Sequence, residues 1–69
     1  MTWKMGQRES AVRTVMDSLA YAQDLATDAR SFCEREDWRD VAEYAAKAEH
    51  TVRDVRKIAE ILAKEARDE

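Results

Sequence analysis

The apolar residues of this chain repeat at helical spacing in two runs, and the two runs are out of phase. In each run they occupy positions a and d of a heptad, as in helices that pack along one face. The first run places Met5, Val12, Leu19, Ala26 and Cys33 at a, with Val15, Ala22 and Ala29 at d. The second places Trp38, Ala45, Val52, Ala59 and Ala66 at a, with Val41, Ala48, Val55 and Leu62 at d. A continuous helix cannot shift phase between Cys33 and Trp38 and keep one buried face.

Residues 33–40, with the sequence CEREDWRD, have the chemistry of a helix start. Asp37 can accept hydrogen bonds from the free amides of a new helix, and Asp40 stands where a capping box has its acidic residue. The sequence therefore predicts an all-α antiparallel helical hairpin, a single domain over residues 1–69. The expected elements are a helix over about 4–34, a turn over about 35–37 and a helix over about 38–67. A single continuous helix is the alternative, because turns without glycine or proline are uncommon.

A chain of 69 residues has a small core. Domains of this size bury only about 60% of their unfolded surface and often need disulfides, metals or oligomerisation. Cys33 is the single cysteine, so it cannot close a disulfide within the chain. Neither a signal peptide nor an apolar run of about 20 residues is recognisable in the sequence. We therefore expect a cytoplasmic protein with no membrane association that gains stability by oligomerising.

With a and d between the helices, large apolar residues remain along one edge of the hairpin, chiefly at the g positions. The predicted oligomer interface consists of Tyr21, Leu25, Phe32, Tyr44, Ile58 and Ile61. Such a band exceeds the few hundred Å² of contiguous apolar surface that monomers usually expose. We therefore expect a homo-oligomer, most simply a two-fold dimer that forms a four-helix bundle.

The residues that carry catalysis or hold cofactors are sparse. His50 is the single histidine and lies at an outward position, Cys33 has no second cysteine at metal spacing, and Gly6 is the single glycine, which excludes a glycine-rich phosphate loop. We therefore expect no enzymatic activity, no catalytic residue, no cofactor and no metal. The 15 acidic and 12 basic residues give a net charge of −3, which argues against a dedicated nucleic-acid binder.

Two charged surfaces are candidates for docking a partner. The acidic tip at the turn consists of Glu36, Asp37, Asp40 and Glu43. The basic face of the second helix consists of Arg53, Lys57 and Lys64. The predicted function is that of a small non-catalytic interaction or regulatory module, which self-associates through its apolar edge and docks another macromolecule, an unknown protein. The alternative is a helical-hairpin dimer that binds nucleic acid through the basic face.

Overall fold

The computed structural model describes the backbone of residues 5–68 and the side chains of residues 6–65. It contains helix α1 over Met5–Glu34 and helix α2 over Trp38–Asp68, and no strand within the described residues. The two helices pack side by side as a rod of 49 × 16 × 13 Å. The predicted helical hairpin is confirmed, and the alternative of one continuous helix is wrong.

The turn is closed by backbone hydrogen bonds that end α1. The amide of Asp37 donates to the carbonyl oxygen of Phe32 at 2.9 Å, and the amide of Glu36 donates to the carbonyl oxygen of Cys33 at 3.0 Å. This pair of bonds is the Schellman motif, in which one residue takes a left-handed conformation. Glu36 is that residue, with φ at 58°, a position that glycine usually occupies in this motif. The reversal is therefore complete in three residues without glycine.

Asp37 also starts α2. Its carbonyl oxygen accepts a hydrogen bond from the amide of Val41 at 3.0 Å, and its carboxylate accepts one from the amide of Asp40 at 3.5 Å. The predicted N-cap is confirmed. The two carboxyl groups are close enough that a hydrogen bond with Asp37 raises the pKa of Asp40, and the negative charges of Asp37 and Glu43 act in the same direction.

The two helices contact each other along the d and g positions, where the sequence predicted a and d. The buried residues are Ala11, Ala22, Leu25 and Val55. The half-buried apolar residues are Val15, Ala29, Phe32, Val41, Tyr44, Ala48, Ile58 and Leu62. By contrast, Val12 and Val52 at a are 42% and 48% exposed. The predicted frame is therefore wrong in one of its two contact positions, because g takes the place of a, which is a rotation of roughly 60° about each helix axis. Met5 and Ala66, also predicted at a, lie outside the described side chains.

Side-chain size favours the rotation at the turn end of α1. The d and g frame buries Leu25 and Phe32 there, whereas the a and d frame would bury Ala26 and Cys33 in their place. Each square ångström of apolar area removed from water stabilises the fold by about 25 cal/mol, so the two larger side chains favour the observed frame in this part of the helix. Phe32 and Tyr44 form an edge-to-face pair across the helices, with ring centroids 5.0 Å apart. We call the contact between the two helices the seam. The aromatic pair holds the end of the seam that lies next to the turn.

Candidate association face

Rotation of the seam leaves the a positions exposed along one side of the hairpin. In an antiparallel pair, equivalent flanks of the two helices lie on the same side, so the a positions of α1 and α2 form one surface. We call this surface the association face. It consists of Val12, Met16, Leu19, Ala26 and Cys33 of α1 and Trp38, Ala45, Val52 and Ala59 of α2, all of them exposed. Met16 and Trp38 protrude most, with 66% and 62% of their surface exposed.

The opposite flank is polar, with two isolated apolar residues. Tyr21 of α1 and Ile61 of α2 are 55% and 44% exposed there. A shallow open depression on this flank is lined by Tyr21, Glu43, Ala46, Lys47, His50 and Thr51. Because these residues come from both helices, the depression shows which face of α1 and which face of α2 lie on the same side of the hairpin. The association face is on the other side of the seam.

The predicted oligomer interface is divided between two places. Leu25 is only 5% exposed in the seam, and Phe32, Tyr44 and Ile58 are half-buried beside it. Tyr21 and Ile61 remain exposed on the opposite flank. These six residues do not form one surface, and the contact within the chain already uses four of them.

The association face was not predicted, because its a-position residues were expected in the seam. A partial signal was present in side-chain size. Near the turn, the g positions of α1 have Leu25 and Phe32, whereas its a positions have Ala26 and Cys33. Size gives no such signal where Leu19 and Trp38 occupy a positions.

The acidic tip is exposed apart from Asp40, which is half-buried. Asp37 and Asp40 are engaged in the cap of α2, and the carboxylate of Glu43 lies 3.8 Å from the ammonium of Lys47. The tip is therefore built mainly by helix capping. Glu36 is the member that projects from the turn with a left-handed backbone.

The basic face is less uniform than its sequence suggests. The guanidinium of Arg53 donates a hydrogen bond to the carboxylate of Glu49 at 3.2 Å, which neutralises one of the three predicted members. Lys57 and Lys64 are exposed. The Nε of Arg56 donates to Glu60 at 3.0 Å on the same helix. Exposed pairs of this kind contribute about 0.2–1 kcal/mol each, so they organise the surface more than they stabilise the fold.

The described side chains do not form a metal-binding cluster. His50 has an exposed side chain whose Nε2 lies 3.5 Å from a carboxylate oxygen of Asp54, and Cys33 is a free, exposed thiol. Among residues 6–65, no three histidine, cysteine or acidic side chains are grouped to hold a metal ion. Neither described helix is long and apolar enough to cross a membrane.

Comparison with known proteins gives no family for this chain. No family model matches it, and neither a curated protein nor a solved structure matches it. The geometry of the hairpin is therefore the basis for proposing a function.

Proposed function

We propose that this protein is a small non-catalytic interaction module of the cytoplasm. Two copies associate through the association face into a four-helix bundle, and the outer surface of the bundle docks another macromolecule. The proposal is supported most by the size of the exposed surface.

The hairpin alone exposes 5822 Å². A folded monomer of 8.0 kDa is expected to expose about 4,450 Å². The excess is therefore roughly 1,400 Å² per chain. A standard interface buries about 1,200–2,000 Å² in total, or roughly 600–1,000 Å² on each partner. Association with a second hairpin would therefore remove about half or more of this excess.

The distribution of apolar residues supports the same surface. Among residues 6–65, seven large hydrophobic residues are exposed, and five of them are on the association face: Val12, Met16, Leu19, Trp38 and Val52. Single apolar residues scattered over a surface are ordinary, whereas a contiguous group of them marks an interaction site. The other two, on the opposite flank, are isolated among polar side chains.

The test is sedimentation equilibrium at micromolar concentration. We expect the wild type at twice the chain mass, and the double variant Leu19→Glu with Val52→Glu at 8.0 kDa with its helicity retained, because neither residue is in the seam. The matched control is Ala20→Glu with Ala46→Glu. Both of these alanines are exposed outside the association face, so the control should remain dimeric. A monomeric wild type, or a double variant that associates normally, would contradict the proposal.

Docking of a further macromolecule is tested with variants of the two charged surfaces. We expect a protein partner, because ion pairs occupy part of the basic face and the chain is acidic overall. Purification from extract of the native host is compared for the wild type, for Glu36→Lys with Glu43→Lys, and for Lys57→Glu with Lys64→Glu. A nuclease-resistant partner that is lost with one pair of changes supports protein docking. Nucleic-acid binding that falls steeply with salt and requires Lys57 and Lys64 would establish the alternative function.

A further inference from the structure

The charged residues that border the association face change sign along each helix. They occupy the e positions, four residues after a. In α1, Glu9 lies toward the open end and Arg30 toward the turn. In α2, Glu49 lies toward the turn and Arg56 toward the open end. All four residues are exposed, so each helix has one acidic and one basic residue along this border.

The middle of the association face is formed by Leu19 and Val52. At 1.5 Å per residue, Leu19 lies about 25 Å from the turn along α1, and Val52 lies about 23 Å from it along α2. They are 47% and 48% exposed, respectively. One two-fold axis across the rod can therefore pass close to both residues.

Such an axis brings each helix against an antiparallel copy of itself, and α1 is complementary to its copy in charge and in size. Glu9 and Arg30 are ten and eleven residues from Leu19 on opposite sides, so the axis places Glu9 of one copy beside Arg30 of the other. Val12 and Ala26 are each seven residues from Leu19, so a large side chain meets a small one.

Helix α2 has the same property about Val52. Glu49 and Arg56 are three and four residues away on opposite sides, so opposite charges again face each other between the copies. Each of them also has an ion-pair partner on its own helix, Arg53 for Glu49 and Glu60 for Arg56, so α1 carries the stronger charge complementarity. Ala45 and Ala59 are each seven residues away and leave room for close approach. Both helices are therefore self-complementary about one axis.

A parallel dimer lacks this complementarity. A two-fold axis along the rod brings α1 against α2 of the second copy at equal heights. Arg30 then lies beside Ala42 and Glu9 beside Ala63, so neither charge meets an opposite charge. The two acidic turns also lie side by side, and like charges in contact are unfavourable.

We infer that two copies of this chain pack with their association faces together and their long axes antiparallel, about a two-fold axis near Leu19 and Val52. This inference depends on the proposed self-association and adds its orientation and register. In this arrangement Glu9 and Arg30 select the partner orientation, while the apolar residues between them supply the buried area.

Charge reversal within α1 tests the orientation. Glu9 and Arg30 are 21 residues apart, about 31 Å along the helix, so they cannot meet within one chain. We expect Glu9→Arg and Arg30→Glu each to raise the dimer dissociation constant about tenfold at low salt, because two attractive pairs become repulsive. The double variant should regain wild-type affinity. An equimolar mixture of the two single variants should form mixed dimers in preference to dimers of either variant.

The control is Asp17→Arg, an exposed outward position of α1, which should leave the dissociation constant within about twofold of the wild type. Single reversals without effect, or single reversals that the double variant does not rescue, overturn the inference. Failure of the inference is distinct from failure of the proposed function. A wild-type chain that does not dimerise defeats the proposed function, whereas a dimer that Leu19→Glu with Val52→Glu disrupts but charge reversal does not alter defeats the orientation alone.

Cross-linking gives an independent readout of the same orientation. In the antiparallel dimer the two copies of Cys33 lie near opposite ends of the bundle, about 40 Å apart. A short bifunctional maleimide should therefore not link native chains. It should link Val52→Cys chains in a Cys33→Ser background, because residue 52 lies near the axis. Efficient linkage of dimers through native Cys33 would overturn the inference.

Discussion

The two flanks of the hairpin seam differ in how their exposed apolar residues are arranged. The association face carries Leu19, Trp38 and Val52 together with small residues, whereas the opposite flank has Tyr21 and Ile61 separated by charged side chains. Ile61 and Leu19 are exposed to a similar extent, 44% and 47% respectively. Exposure of single residues therefore does not distinguish the flanks, and the distinction is whether exposed apolar residues are contiguous.

The seam between the flanks determines which residues each flank receives. Relative to the predicted frame, a rotation of roughly 60° about each helix axis places Leu25 and Phe32 in the seam and leaves Val12 and Val52 on the surface. A small hairpin thus has two competing apolar faces and buries only one of them. The other becomes the surface available to a partner.

The largest expected effect separates the seam from the association face. Leu25→Ala should lower the free energy of unfolding by about 2–4 kcal/mol, because a side chain that is 5% exposed leaves a cavity. The matched change Leu19→Ala should cost the isolated hairpin less than about 1 kcal/mol, because that residue is 47% exposed. Chemical denaturation followed by circular dichroism at low protein concentration measures both. Equal losses would mean that the a positions also belong to the seam.

The next effect separates the two flanks from each other. Trp38→Glu should weaken self-association by about 2 kcal/mol, since large aromatic residues contribute most to interfaces. Ile61→Glu should leave association unchanged, because Ile61 is exposed on the opposite flank. Sedimentation equilibrium of the two variants decides the matter. A stronger effect from Ile61→Glu would move the interface to the opposite flank.

A smaller effect concerns the turn, which supports both flanks equally. Glu36→Gly should stabilise the hairpin by about 0.5–1 kcal/mol, because glycine relieves the left-handed backbone at φ 58° and its larger unfolded-state entropy offsets part of the gain. Dimer affinity should not change. Glu34→Gly, at the last residue of α1, is the control and should destabilise by up to about 1 kcal/mol. Thermal unfolding measures both, and a loss of stability with Glu36→Gly would contradict the observed backbone conformation.

The smallest effect is the pH dependence of the cap of α2. The hydrogen bond with Asp37 raises the pKa of Asp40 above its ordinary value of 3.8 in the folded chain. The folded state therefore binds this proton more tightly, and its contribution to stability is present at low pH and lost as pH rises through the folded-state pKa. Relative to Asp40→Asn, the wild type should gain stability as pH falls from about 6 to about 4. A relative loss over that range would show that the helix dipole dominates.

The helices and the cap followed from the sequence, because both depend on local interactions. The predicted helix over about 38–67 compares with Trp38–Asp68, and Asp37 caps it as expected. The frame of the seam did not follow, because α1 has apolar residues at a, d and g, and counting positions does not weigh their size. The left-handed Glu36 had no sequence signal, since the residue that usually marks this conformation is absent from the turn.

The sequence predicted that an apolar surface would remain exposed, but it did not identify the residues of that surface. An apolar surface left over after the hairpin forms was expected from the composition and the size of the chain. Its residues could not be assigned while the seam was assigned to a and d. The sequence placed the surface at Leu25 and Phe32, and the structure places the exposed apolar residues at Leu19 and Val52. The d positions were predicted correctly in the seam, whereas the a and g positions exchanged places between the surface and the seam.

The aromatic pair near the turn has a consequence for how the chain folds. Phe32 and Tyr44 are twelve residues apart in sequence, whereas Ala11 and Leu62, which lie in the seam toward the open end, are 51 residues apart. The entropy lost on closing a loop grows with its length, so the helices should meet first at the aromatic pair and zip toward the termini. Amide hydrogen exchange should be slowest next to Phe32 and Tyr44 and should quicken steadily toward the open end.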